Sequence, residues 1–339
     1  IMSEARQGSA PEILSGSPGK ILSANGWDLR ALRPVLRGNG QAIRANDLLR
    51  KDEWKALDDA VVPAARRQLG AIEDMRMAGL TRNLGSLGVL LDEYEAVSDI
   101  DPAEQSMSGV APGQRDLATF TLNSVPIPIT FRDFQIHLRH LEASRRGGSG
   151  IDTTNAELCA QRVAEKLEAM LFNGSTVAIG GNAVAGLTTA SSRITGSLTG
   201  DWATFPTITG DNIITDVLAM IAAAEDENYF GQFMFYVPVS YMQVLRNDFK
   251  ANSDKTIMDR MMEIDAVQGV RGTTSLTSEV IAVRLTRDVL DLSIASDVTT
   301  VQWDEMGGMI QNFKVMAAMA PRVKIPATAN AKTGLVHYT

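Results

Sequence analysis

Cysteine is almost absent: Cys159 is the single one in 339 residues. A disulfide within the chain is therefore excluded, and so is a cysteine-based zinc site. Histidine is nearly as scarce. His137 and His140 are three apart, the spacing of two metal ligands on one helical face, but no third ligand accompanies them. They read as surface histidines, Glu142 is an unsupported neighbour, and no metal is expected. His337 reads as part of a solvated tail. No apolar run approaches the roughly 20 residues of a membrane-spanning helix, so no membrane partner is expected. The start does not read as a secretory leader.

The motifs of common enzymes are also missing. There is no Gly-x-x-x-x-Gly-Lys-Ser/Thr loop, no dinucleotide fingerprint and no Gly-x-Ser-x-Gly elbow. Gly180-Gly181 and Gly186 lie in a turn-rich stretch without the strand-then-helix setting of a phosphate cradle. The acid pairs Asp58-Asp59, Glu225-Asp226 and Asp304-Glu305 read as solvated faces, and Cys159, on an apolar stripe, as a buried thiol. No catalytic residue and no cofactor are expected. An enzyme reading would need Asp304 or Glu305 beside His137 in a pocket.

An excess of positive charge is lacking overall, since the net charge is −8. The balance is uneven, however. Residues 1–50 hold seven basic residues (Arg6, Lys20, Arg30, Arg33, Arg37, Arg44, Arg50) against four acids, giving +3, and the other 289 carry −11. A basic arm on an acidic body hints at an anionic partner for the arm.

Hydrophobic residues make up 45% of the chain, enough for a sizeable core. Residues 1–47 are Gly-, Ser-, Ala- and Asn-rich without sustained period, and read as an extended arm. From there Trp54, Leu57, Val61, Ala65 and Leu69 share one helical face, with Pro63 expected to kink or split the helix. Over 83–131 the pattern changes. Leu90, Leu91, Tyr94 and Val97 lead out, a polar stretch from Ser98 to Arg115 follows, and Phe120, Leu122, Val125, Ile127, Ile129 and Phe131 return with strand-like alternation. This predicts a long two-stranded excursion, placed at an edge by Pro126 and Pro128. Such a hairpin is not stable alone and needs a neighbour to lie on.

After a break at 145–150, the strongest helix is expected over 154–172. Thr154 and Glu157 have capping-box spacing, and Asn173-Gly174 is the stop. Further helices are expected at 211–225, 240–248 and 256–264. Strands are expected at 233–239, 281–285, 289–294, 299–303 and 313–319. Helices and strands interleave without a regular βαβ repeat, so the class is α+β.

The order of three features carries a resemblance. The helix around Asp52-Glu53-Trp54-Lys55-Ala56-Leu57-Asp58 comes first. The hairpin with Val125-Pro126-Ile127-Pro128-Ile129 follows, then the helix Val163-Ala164-Glu165-Lys166-Leu167-Glu168-Ala169-Met170-Leu171-Phe172 ending in Asn173-Gly174. With the late strands Val301-Gln302-Trp303-Asp304 and Asn312-Phe313-Lys314-Val315, this resembles the encapsulin-like branch of the Hong Kong 97-type phage capsid fold over roughly residues 48–323.

The resemblance implies an N-terminal arm (1–47), a helical segment (48–82), an extended β-hairpin loop (83–130), a peripheral domain with a long spine helix (131–206 and 296–339) and an axial domain (207–295). It implies a structural major capsid protein that self-assembles, as pentamers and hexamers, into an icosahedral shell around phage DNA. Portal, scaffold and decoration proteins are further expected partners, with assembly in the host cytoplasm and a place in the virion. The alternative is an encapsulin-type nanocompartment shell around an enzyme cargo. Expected inter-subunit contacts are Trp27, Arg30, Arg33, Arg37, Tyr94, Phe120, Leu122 and Ile127. Some relatives cross-link a loop lysine to a neighbour's asparagine. Here no lysine lies between Lys55 and Lys166, so that chemistry is expected to be absent.

Overall fold

Alternation and helical periodicity divide this chain into many short elements, and their packing makes two connected cores. The computed structural model describes residues 37–38, 41–42, 51–98, 100, 105, 107, 117–147, 153–250, 254–326 and 331–339. Strands β1 (Arg37–Gly38) and β2 (Gln41–Ala42) form a small antiparallel pair. Helix α1 (Lys51–Gln68) buries Leu57, Val61, Ala64 and Ala65 on the expected stripe. The expected split at Pro63 does not occur. The proline removes one backbone hydrogen bond, but the buried residues on both sides hold the helix, and the break falls at Leu69, ahead of α2 (Gly70–Met77).

The excursion is present. After β3 (Thr81–Asn83), strands β4 (Leu91–Val97) and β5 (Phe120–Pro126) pair antiparallel, from Leu91 opposite Pro126 to Val97 opposite Phe120. Most of the expected polar tip lies outside the described residues. Pro126 closes β5 and Pro128 precedes β6 (Ile129–His137), the outer strand of its sheet, so neither proline interrupts a central ladder. The break expected at 145–150 is corrected at its start. Arg145 lies inside helix α3 (Leu138–Gly147), held by Glu53, which accepts from its Nε and Nη2 at 2.8 and 2.9 Å.

The spine helix α4 (Thr154–Asn173) ends as expected, with Gly174 at φ +74° and its N–H donating to the Met170 carbonyl. Its capping box is not the expected one. Thr153 is the N-cap without a side-chain cap, and its hydroxyl turns to the Glu157 carboxylate at 3.2 Å. After β7 (Ser175–Ile179), β8 (Asn182–Val184) and β9 (Ile194–Gly196), helix α5 (Gly210–Asp226) is capped by Thr209. Then come β10 (Phe233–Pro238), α6 (Val239–Leu245) and α7 (Ile257–Met262), where Thr256 and Asp259 do form a capping box. Strands β11 (Val267–Thr273), β12 (Val280–Val283), β13 (Leu290–Glu305), β14 (Ile310–Val323) and β15 (Leu335–Tyr338) complete the chain. The two strands expected at 289–303 are one, β13, with register shifts between Ile294 and Thr299.

Two main sheets result. One runs β3-β13-β14-β6 and packs against α4, joining α1 and α2 in one core. The other runs β11-β10-β12-β15-β9, with Trp202, Ile213, Val217, Met220 and Tyr241 in its own core. The strand pairing differs from the expected division at the C-terminus. Residues 335–338 join the second sheet through β12, although 296–339 was expected in the peripheral unit. His337 is corrected with it. It is buried, and its Nε2 lies 2.6 Å from Glu279.

Candidate functional site

Strand alternation gives the β4–β5 hairpin two unlike faces. Asp92, Tyr94 and Ala96 point one way and are buried. Glu93, Glu95 and Val97 point the other way, beside Leu122 and Phe120 of the partner strand. On that outward face Phe120 is 67% exposed, Leu122 62% and Val97 51%. Of the expected contact residues, Phe120 and Leu122 therefore lie together in the open. Tyr94 and Ile127 are spent inside the subunit, at 9% and 5% exposure, and have little surface left for a neighbour. Trp27, Arg30 and Arg33 lie outside the described residues. Arg37 lies in β1, where only the backbone is described.

The inward face of the hairpin is pinned by charge. Arg322 of β14 forks onto Asp291, with Nε and Nη2 donating at 2.7 and 2.5 Å, and its Nη1 lies 3.0 Å from Asp92. Asp92 also accepts from the Ser293 hydroxyl at 2.5 Å and pairs with Arg82 of β3 at 3.2 Å. Tyr94 covers the cluster. Its ring lies 5.1 Å from the Arg322 guanidinium, and its hydroxyl donates to the Val323 carbonyl and accepts from the Ile325 N–H. Burial pushes the Tyr94 phenol up. Two carboxylates against one buried guanidinium, with Arg82 and Lys324 at the margin, make a directional joint. It fixes the angle at which the hairpin leaves the body.

A second exposed surface lies on the four-stranded sheet. Lys314 stands 4.4 Å over the Phe131 ring and 5.5 Å from that of Trp303, with Ile129 and Val301 exposed on the same face.

His137 and His140 border a groove of about 330 Å³ with Gln135, Ile136, Leu141, Ser144 and Asn155. Their ring centres are 6.1 Å apart. Neither Asp304 nor Glu305 lines it. Glu305 pairs with Ile310, and Ile310 with His137, so the carboxylate sits two strands away. Cys159 is buried, 3.9 Å from the Asp133 carbonyl, and burial pushes its thiol up, which disfavours the thiolate.

Sequence reading missed the joint, although a signal was present. Asp92 alternates in phase with Tyr94 and Ala96, so a strand with a buried face must bury that carboxylate too.

This is the Hong Kong 97-type capsid fold of encapsulin-like kind. Solved structures share it. The virus-like particle from Pyrococcus furiosus has a TM-score of 0.59 at 15% identity, over 84% of this chain and 99% of that one. The capsid of Myoviridae Phage XM1 has a TM-score of 0.59 at 14% identity, over 77% and 88%. In sequence, the chain is 28% identical over 290 residues to the type 1 encapsulin shell protein EncA of Myxococcus xanthus (strain DK1622), covering 83% of this chain and 92% of that protein. It is 23% identical over 281 residues to the diheme-cytochrome-encapsulin shell fusion protein of Kuenenia stuttgartiensis, covering 82% and 72%. The chain belongs to the family described as "Family of unknown function (DUF6260)", which it matches over residues 43–338.

Proposed function

We propose that this protein is a structural subunit whose copies assemble into a closed shell, with no catalytic role. One observation carries the reading: an anchored hairpin holds an apolar strip out of the body, where none of the described residues covers it. Burying Phe120 and Leu122 on a neighbour would stabilise each contact by about 4 kcal/mol. Repeated around a closed shell, such contacts sum to a strong cage. The interface is heterologous, as ring- and shell-building contacts are. Phe120 and Leu122, flanked by Glu93 and Glu95, meet the neighbour's Phe131, Val301 and Trp303, where Lys314, 3.7 Å from Asp133 of its own subunit, turns to the two glutamates. Trp27, Arg30, Arg33 and Arg37 belong to an arm that reaches further neighbours or the contents. The hairpin is then the extended loop, the first sheet with α4 the peripheral unit, and the second sheet, including β15, the axial unit.

The contents separate two readings. The names of the sequence relatives favour a compartment around a protein cargo. The basic arm favours packaged DNA in a virion, with portal, scaffold and decoration proteins as partners. Electron microscopy of purified particles, with their ultraviolet absorbance, tests both. Uniform shells with a protein spectrum support the compartment, and DNA-filled shells support the virion. Monomers or dimers alone overturn the shell reading.

A further inference from the structure

The spine helix carries a carboxylate on its buried stripe. Glu168 lies between Leu167 and Leu171 and is 6% exposed. Its Oε1 accepts from the Ala71 N–H at 2.8 Å, in the first turn of α2. Its Oε2 is buried and has no hydrogen-bond partner among the described residues. The start of α2 is pressed against it. A Cβ on Gly70 would lie 3.6 Å from Glu168 Oε1 and 3.2 Å from Arg271 Cδ.

The charged and titratable groups facing Glu168 are Asp74 from α2, Tyr236 from β10 and Arg271 from β11. They are already engaged with one another. Asp74 accepts from Arg271 Nε and Nη2 at 2.6 and 2.5 Å and from the Tyr236 hydroxyl at 3.2 Å. From α1 and β14 the same core receives apolar side chains, among them Leu57, Val61, Val315 and Ala317. Glu168 thus has one backbone hydrogen bond, a committed cation and a neighbouring anion. Burial above all, with Asp74 adding, pushes its carboxyl up to about 7, against the N–H groups of Ala71 and Ile72.

We propose that Glu168 is a proton-operated latch between the spine helix and α2. When neutral, it holds the first turn of α2 on α4. When ionised, it places an unpaired buried charge beside Asp74, and α2 loosens. The movement has a route to the hairpin. Helix α2 leads directly into β3, whose Arg82 pairs with Asp92 at the hairpin base. The latch belongs to the single chain and stands whatever the shell contains.

The sign follows from proton linkage. A carboxyl raised in the closed state binds more protons closed than open, between its ordinary value of 4.5 and about 7. Closure is therefore strongest in mild acid, weakens as pH rises through that window and is level above it. The test is hydrogen exchange of the 71–77 amides in the purified full-length protein, corrected for the pH dependence of chemical exchange. From pH 5 to 7 their protection is expected to fall by roughly fortyfold, with little further change to pH 8.5. Amides of α5 serve as the control and should not follow.

Glu168→Gln keeps an acceptor for Ala71 and cannot ionise, so its profile should be flat. Asp74→Asn removes the neighbouring anion and frees Arg271, so the fall should move to lower pH. A flat wild-type profile overturns the latch. So does an unchanged fall in Glu168→Gln. If that variant does not fold, a wild-type midpoint unmoved by Asp74→Asn overturns it equally.

Discussion

Arg322 on β14 and Asp92 on the hairpin strand β4 meet at 3.0 Å, each with 3% of its side chain exposed. A pair so deeply buried is held by mutual attraction against a large desolvation cost, and removing one partner strands the other. Arg322→Met keeps the volume of the stem and leaves Asp92 and Asp291 without their shared cation. The expected loss is about 3–5 kcal/mol near neutral pH. Arg82 and Lys324, at the margin, still touch the two carboxylates but are too exposed to replace the buried fork. Urea unfolding of dissociated subunits measures the loss.

A second weak point lies where the spine helix ends. The loop after β8 caps its last carbonyls: the N–H groups of Leu187 and Thr188 donate to Leu171 and Phe172 at 2.9 and 2.8 Å. This requires close approach of backbones. A Cβ on Gly186 would lie 2.2 Å from the Gly174 nitrogen and 2.4 Å from the Phe172 carbonyl oxygen. These are backbone atoms that cannot swing aside, so Gly186→Ala should cost about 3 kcal/mol or more. Gly88→Ala, where among the described residues a Cβ meets only the Ser86 hydroxyl at 3.4 Å, should change stability by less than about 0.5 kcal/mol. Comparing the two denaturation midpoints checks the assignment.

Much of this architecture was legible because the dominant forces leave periodic marks. The apolar stripe of α4, its Gly174 stop and the alternation of β5 all follow from one buried face per element. What escaped depended on partners far apart in sequence. Asp92 and Arg322 are 230 positions apart, and neither identifies the other until the sheet brings them together. Glu168 is similar: its position between Leu167 and Leu171 marks burial, but Ala71 and Asp74 are visible as neighbours only in the fold. The burial of His337 leaves no mark in the sequence, because a strand of four residues is too short for its period to stand out. Pro63 shows the converse, a strong local signal overridden by packing on both sides.

The hairpin carries no amine. With no lysine between Lys55 and Lys166, a hairpin side chain cannot form an isopeptide bond to a neighbour's carboxamide. Assembled particles boiled in detergent should therefore run as a single-chain band on a denaturing gel. A ladder of covalent multimers would show that some other amine is used, and would shift the source of shell stability from packing to covalent linkage.

The outward strip of the hairpin offers the sharpest test of assembly, because it can be altered without touching the core. Phe120 and Leu122 are exposed in the single chain, so Phe120→Asp and Leu122→Asp should change subunit stability by less than about 1 kcal/mol. In the assembled state each would bury a carboxylate against Phe131 and Val301, beside the existing charges of Glu93 and Glu95. An unpaired buried charge costs far more than the apolar contact it replaces. The double variant should therefore remain folded by circular dichroism and elute as small species in size-exclusion chromatography. The reverse change on the other surface, Lys314→Glu, should weaken assembly through the same contact, since it sets a third carboxylate against Glu93 and Glu95. Pairing Lys314→Glu with Glu95→Lys should recover part of the loss if the two surfaces touch. Intact shells from Phe120→Asp/Leu122→Asp would place the inter-subunit contact elsewhere. Failure of the charge reversal to rescue would leave the strip as an interface but remove the Lys314 face as its mate.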